Sequence, residues 1–124
     1  MIPILVDTSV WIDHFRSSEP RLVEILNRGE VLGHAFVIGE LACGSLGNRQ
    51  EILGLLHNLP SAPRASDKEV LLLIENCALM GRGIGYIDAH LLASVLLAGN
   101  AKLWTRDRRL LRIANEMSLG FERQ

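Results

Sequence analysis

Four acidic residues stand where they could do chemistry: Asp7, Glu40, Asp88 and Asp107. Asp7 closes the apolar run Ile2 to Val6, and Glu40 lies within Val37-Ile38-Gly39-Glu40-Leu41-Ala42. Asp88 opens Ile87-Asp88-Ala89-His90-Leu91-Leu92-Ala93, and Asp107 follows Lys102-Leu103-Trp104-Thr105-Arg106. A carboxylate set in apolar sequence is costly unless something compensates its charge. Four that converge have a ready compensator in a divalent cation. Mg2+ takes oxygen ligands, keeps several waters, and is usually bound by one or two carboxylates together with substrate phosphate. Such an ion activates water near neutral pH and neutralises charge on a phosphoryl group and its leaving oxygen. No Ser, His or Cys nucleophile is then required, and the chemistry implied is phosphodiester hydrolysis. Thr8, Ser9 and Thr105 carry hydroxyls beside these acids and could orient a carboxylate or a water.

Each acid has a plainer reading too. Asp7 and Asp88 stand at helix starts, where a carboxylate caps the helix or complements its dipole. Asp107 could be a surface partner of Arg108 or Arg109. Glu40 is harder to dismiss, because its neighbours are apolar or glycine on both sides.

The elements that must position these residues alternate in type. Ile4-Leu5-Val6 reads as a buried strand ending at Asp7. Thr8 or Ser9 then caps a helix through Trp11, Ile12 and Phe15. Ser17-Ser18-Glu19-Pro20 starts a second helix, with Pro20 in its first turn and Gly29 as its stop. Val31 to Phe36 reads as a short strand, and Val37 to Gly44 as a short helix carrying Glu40. Asn48 caps a helix that uses Ile52, Leu53, Leu55 and Leu56, and Pro60 and Pro63 frame a loop or short edge strand. Ser66-Asp67-Lys68-Glu69 is a capping box before a long apolar helix, Val70 to Met80, which Gly81, Gly83 and Gly85 end. The helix that Asp88 starts is apolar nearly all round and therefore central. Ala101 to Trp104 reads as a strand, Leu110 to Ala114 as part of a last helix, and Leu119-Gly120-Phe121 as a final strand. This alternation predicts an α/β fold, a parallel sheet between helices, with its functional crevice at the carboxyl ends of the strands. Asp7 and Asp107 lie at two such ends.

Composition bounds the reading. The chain has 124 residues and is 48% hydrophobic, which suits one domain over 1–124 with a sizeable core. Cys43 and Cys77 lack metal-ligand spacing and read as small buried hydrophobes, in keeping with a reducing cytoplasm. No apolar stretch suits a signal peptide or a membrane span. Net charge is −1, so the chain is not basic as a whole. Arg106, Arg108, Arg109 and Arg112 nevertheless cluster beside Asp107. Arg108 and Arg112, four residues apart, share a helix face that could reach the phosphates of RNA. The rival reading is a solvated face paired with Glu116 or other surface acids.

Four blocks of the sequence, in order, resemble the PIN-domain nucleases, most closely the VapC-like toxins of toxin–antitoxin pairs. They are Val6-Asp7-Thr8-Ser9-Val10-Trp11-Ile12-Asp13, Gly39-Glu40-Leu41 with Gly44, Ile87-Asp88-Ala89-His90-Leu91-Leu92-Ala93, and Leu103-Trp104-Thr105-Arg106-Asp107. The resemblance implies a three-layer α/β/α fold with a mainly parallel central sheet. It implies that Asp7, Glu40, Asp88 and Asp107 meet around Mg2+ or Mn2+, as one or two ions. It further implies endoribonuclease activity in the cytoplasm, frequent homodimers, and a small antitoxin protein as partner.

Other features read more plainly. His14, His34, His57 and His90 show no metal spacing, and His90 points away from the side of its helix that carries Asp88. Asp13 belongs to a solvated face or bounds the cleft. Trp11 and Trp104 suit core packing. Gly81-Arg82-Gly83-Ile84-Gly85 fits neither a dinucleotide fingerprint nor a P-loop. A phosphoacceptor domain would need an acidic pair at the first strand and a late Lys, which this chain does not offer. A catalytically silent PIN-like interaction module and a DNA-directed nuclease of the same fold stay as alternatives, because recognition of the 2′-OH leaves no short motif.

Overall fold

A computed structural model gives the architecture and describes residues 1–121. The elements in chain order are β1 (Ile4–Val6), α1 (Thr8–Arg16), α2 (Pro20–Asn27), β2 (Val31–Leu32), α3 (Ala35–Ala42), α4 (Arg49–His57), α5 (Asp67–Asn76), α6 (Tyr86–Ala98), β3 (Lys102–Trp104) and α7 (Arg108–Glu116). The strands form one parallel sheet in the order β2-β1-β3. Ile4 pairs with Val31 on one side and with Lys102 on the other, and Val6 reaches Trp104. Ile4, Leu5 and Val6 are all buried, as a central parallel strand requires.

Chain order fixes where a site can form. From β1 the chain steps to one side of the sheet, and from β2 it returns past β1 to the other. Right-handed crossovers in opposite directions place their helices on opposite faces. The reversal opens a crevice at the carboxyl ends of β1 and β3, the topological switch point of the sheet. The first residue after β1 is Asp7, and Thr105 to Asp107 follow β3.

Several boundaries differ from the sequence reading. Strand β2 stops at Leu32, and α3 begins at Ala35, because His34 acts as its N-cap: Nδ1 accepts the Phe36 N–H at 3.0 Å. Asp7, not Thr8 or Ser9, holds the N-cap position of α1, without a side-chain capping bond. Asn48 holds that position for α4 in a left-handed conformation, also without a capping bond. The capping box of α5 forms as expected, with Ser66 and Glu69 bonded reciprocally. That helix ends at Asn76 and does not reach Met80. Ala78, at φ 52, turns the chain, and Leu79 N–H bonds back to Ile74 at 2.9 Å while Leu79 buries its side chain. This is the stop usually made with glycine. Gly29, at φ 71, makes the same stop after α2. The segment at Leu119 to Phe121 pairs with β3 through a single bridge, Leu103 to Gly120, and is not a full strand. Cys43 is exposed at the end of α3, unlike the expected buried hydrophobe, whereas Cys77 is half-buried and packs against the core; both thiols are free. Among the described residues no helix is long and apolar enough to cross a membrane.

Helix α6 is the structural centre, with Ala89 to Val95 buried without interruption. Two of those residues are polar. Ser94 lies 3.0 Å from His34 Nε2. Because His34 Nδ1 accepts a backbone N–H, a neutral ring must donate from Nε2 to the Ser94 hydroxyl. Burial, with help from His90 and Arg64, lowers the His34 pKa from 6.5 to about 4. A depressed histidine stabilises the fold above its unfolded pKa, and that contribution is lost as pH falls from about 6.5 toward about 4. His34→Asn keeps a capping acceptor and removes the titration. Urea unfolding at pH 7 and pH 4.5 should show wild type losing on the order of 2 kcal/mol more than His34→Asn. Equal losses would separate His34 from acid sensitivity.

Candidate active site

Asp7 is 6% exposed at the end of the central strand, and two hydroxyls compensate it. Its Oδ2 accepts from Thr105 Oγ1 at 2.7 Å and from Ser9 Oγ at 2.8 Å. Each hydroxyl has one proton, and both protons go to Asp7. The 3.4 Å approach of Ser9 to Thr105 is therefore a contact without a proton of its own. The same two oxygens accept backbone N–H groups, Ser9 from Arg106 at 3.0 Å and Thr105 from Asp107 at 3.1 Å. Asp7 makes no capping bond, so its helix-cap role is positional only.

Thr8 faces the other way and donates to Glu40 Oε1 at 2.6 Å, linking α1 to α3. Glu40 is exposed to solvent. Asp107 is exposed too, and Oδ1 caps α7 by accepting Arg109 and Leu110 N–H groups at 2.9 and 3.1 Å. Among the described residues it pairs with neither Arg108 nor Arg109, which sets aside the surface-pair reading. Asp88 stands in the first turn of α6 and accepts the Gly85 N–H at 3.2 Å.

Asp7, Glu40 and Asp107 all act electrostatically on Asp88. Burial raises the Asp88 pKa above its ordinary value, and Asp7, Asp107 and Glu40 all raise it further by repulsion; the Gly85 bond opposes them. The donors are carboxylate and hydroxyl oxygens, the chemistry of a hard divalent cation. Among the described residues, no three acidic, histidine or cysteine side chains close into a finished metal cage. An ion that takes one or two carboxylates directly and fills its remaining positions with water fits such an open set.

The arginine cluster of the sequence divides into three roles. Arg106 bonds Asp13 at 2.7 Å and pairs with Glu19, so it braces α1 against the loop before α7. Arg109 packs on Gly83, where a Cβ would meet its Cδ at 2.5 Å. Arg108 and Arg112 are exposed along a shallow groove with Leu111, Asn115 and Glu116. Glu116 takes a two-bond pair from Arg82 at 2.9 Å per bond. Arg82, which the sequence offered only as part of a loop, thereby ties the segment before Asp88 to the helix after Asp107. No local signal marked that pairing.

Residues 4–116 match the PIN domain family. The chain belongs to the PIN domain family. It is 53% identical over 107 residues to the Mycobacterium tuberculosis protein named Ribonuclease VapC32 in strain CDC 1551 / Oshkosh, covering 86% of each chain. The same figures hold for the protein of that name in strain ATCC 25618 / H37Rv. The parallel sheet between helices is in keeping with a PIN fold.

Two outcomes follow from this geometry. Thr105→Ala removes the donor that orients Asp7, so Mn2+ affinity measured by calorimetry should fall by roughly tenfold or more, and Thr105→Ser should restore it. Identical affinities in all three proteins would detach the hydroxyl from the site. For Asp88, a raised pKa means ionisation costs stability as pH rises through the folded value. Asp88→Asn keeps an acceptor for Gly85 and removes the charge. In EDTA at neutral pH it should be as stable as wild type or more stable, by on the order of 1 kcal/mol. A lower melting temperature would show that helix capping outweighs repulsion.

Proposed function

We propose that this PIN-domain protein is a cytoplasmic endoribonuclease that uses Mg2+ or Mn2+, and that it acts as the toxin of a toxin–antitoxin pair. What supports this reading is that Asp7 and Asp107 stand beyond the carboxyl ends of β1 and β3, and that Asp7, Asp107 and Glu40 each add to the rise in pKa that burial gives Asp88. The name of the Mycobacterium tuberculosis relative, a ribonuclease, favours RNA over DNA as substrate.

Each residue has a distinct part. Asp7 is held rigid by Thr105 and Ser9 and presents its remaining oxygen to the cleft. Asp88, half-buried, contributes the second central carboxylate. Glu40 and Asp107 are exposed and would hold the waters of a bound ion, or a second ion. A divalent cation bound there activates water and stabilises charge on the phosphoryl and leaving oxygens. Arg108 and Arg112 draw RNA toward a cleft whose own charge repels phosphate.

The partners follow from the apolar surface. Trp11, Phe15, Leu26, Leu55, Leu56 and Leu59 are among the residues lining a groove of about 380 Å³ between α1, α2 and α4. Its shape and apolar lining suit an antitoxin segment. Leu71 and Leu72 are more than half exposed on α5 and suit a homodimer contact.

The test is cleavage of total RNA by the purified protein in Mg2+, Mn2+ or EDTA. Asp7→Asn, Glu40→Gln, Asp88→Asn and Asp107→Asn should each lower the rate by roughly two orders of magnitude or more, with native circular dichroism. Arg108→Ala with Arg112→Ala should leave the rate at saturating RNA much closer to wild type while weakening binding. Near wild-type cleavage in any three acid variants would overturn the shared site.

A further inference from the structure

Next to the acids lies a second constellation with no part in the chemistry above. Phe36 and Glu40, four residues apart, share a face of α3. Tyr86 and His90 are likewise four apart on α6, the helix that carries Asp88. The Phe36 and Tyr86 rings both meet buried His90 edge to face, with centroids 4.7 and 4.8 Å away. Asp67, at the start of α5, fixes the group: its Oδ1 accepts the Tyr86 hydroxyl at 2.8 Å and lies 3.3 Å from His90 Nε2. Arg64 lays its guanidinium over Phe36, 4.7 Å from the ring centroid.

What this assembly offers to solvent is a cation and a ring. Arg64 is exposed and Tyr86 is 44% exposed. Among the described residues no carboxylate lies within ion-pairing distance of Arg64. A guanidinium stacked on a ring is oriented but not neutralised, and its N–H edge stays available to a planar or tetrahedral anion. Proteins that bind single-stranded nucleic acid combine these two parts, a cationic track and an aromatic platform. Phe36, the ring under Arg64, is about one helical turn, ~5.4 Å along the axis of α3, from Glu40, and Tyr86 stands two residues before Asp88 on α6.

We infer that Arg64 and Tyr86 form a nucleotide subsite for single-stranded RNA beside the acid cleft, Arg64 binding a phosphate and the Tyr86 ring carrying a base. This rests on the ribonuclease reading and extends it. The α7 arginines lie beyond Asp107, so the strand crosses the acids between two cations. Phe36, His90 and Asp67 are positioning residues: they hold the guanidinium and the ring without touching RNA.

The experiment measures fluorescence anisotropy of a short random-sequence, fluorescein-labelled single-stranded RNA with the full chain in EDTA, which prevents cleavage. Tyr86→Leu should weaken binding roughly fivefold or more with an unchanged salt dependence. Tyr86→Phe, which keeps the ring and loses the bond to Asp67, should bind as wild type does. Arg64→Gln should weaken binding and lower the magnitude of the log K against log salt slope by roughly 0.7. Thermal melts report folding for each variant. Wild-type affinity in both Tyr86→Leu and Arg64→Gln would overturn the subsite while wild-type cleavage of RNA left the ribonuclease reading standing. A wild-type protein that neither binds this RNA nor cleaves RNA in Mg2+ or Mn2+ would overturn the ribonuclease reading itself.

Discussion

The bond from Thr105 to Asp7 joins the two strands on which the site depends. Asp7 ends β1, and Thr105 follows β3, 98 residues later in sequence. A buried carboxylate without partners would take up a proton or unfold its surroundings. Two hydroxyl donors on one oxygen partner Asp7 and keep it in place. Both hydroxyls also accept backbone N–H groups from the Arg106–Asp107 turn, so the same bonds that steady Asp7 set where Asp107 begins α7. The sheet register, Val6 opposite Trp104, brings these groups together. A slip of one residue would turn every side chain of β1 to the other face and separate them.

Much of this was legible in the sequence, for physical reasons. A carboxylate at the end of an apolar run has few sites that tolerate it, and the carboxyl edge of a parallel sheet is one. The Ser66–Glu69 capping box depends only on local geometry, so it formed as written. The start of α3 was not legible, because a histidine ring caps it and depends on Ser94, 60 residues away, for its tautomer. The end of α5 was hidden because Ala78 adopts a left-handed turn that glycine usually makes, with Leu79 anchoring it from the core. Placing Asp107 opposite an arginine was reasonable from adjacency in sequence. In the fold, the N-terminal N–H groups of α7 point at it more directly than any guanidinium does.

The arginines show the same limit. Four of them in seven residues look like one patch, yet tertiary contacts give them separate tasks. Arg106 bonds acids on and beside α1, Arg109 lies on a glycine, and Arg108 and Arg112 face solvent. Arg82 takes the acid that sequence spacing would have offered to Arg112. Charge counted along a chain measures attraction for a polyanion only after these internal pairs are removed. Among the described residues, the cations outside these pairs include Arg108 and Arg112 on α7 and, separately, Arg64.

The balance between attraction and repulsion then follows from position, not from net charge. At −1 overall, the chain has no long-range pull on phosphate. Acidic side chains repel phosphate, just as Asp7, Asp107 and Glu40 repel charge on Asp88 in addition to the effect of its burial. Fields from exposed groups are screened within about 8 Å at physiological ionic strength, so only cations close to the crevice can offset the acids for an approaching strand. Arginines held beside the acids would satisfy that condition, whereas the same charges spread over the surface would not. Under the proposed function, a divalent cation would complete the balance by relieving the repulsion that Asp7, Asp107 and Glu40 place on Asp88. An edge held by hydroxyls and helix N-termini would then be compensated when the ion binds.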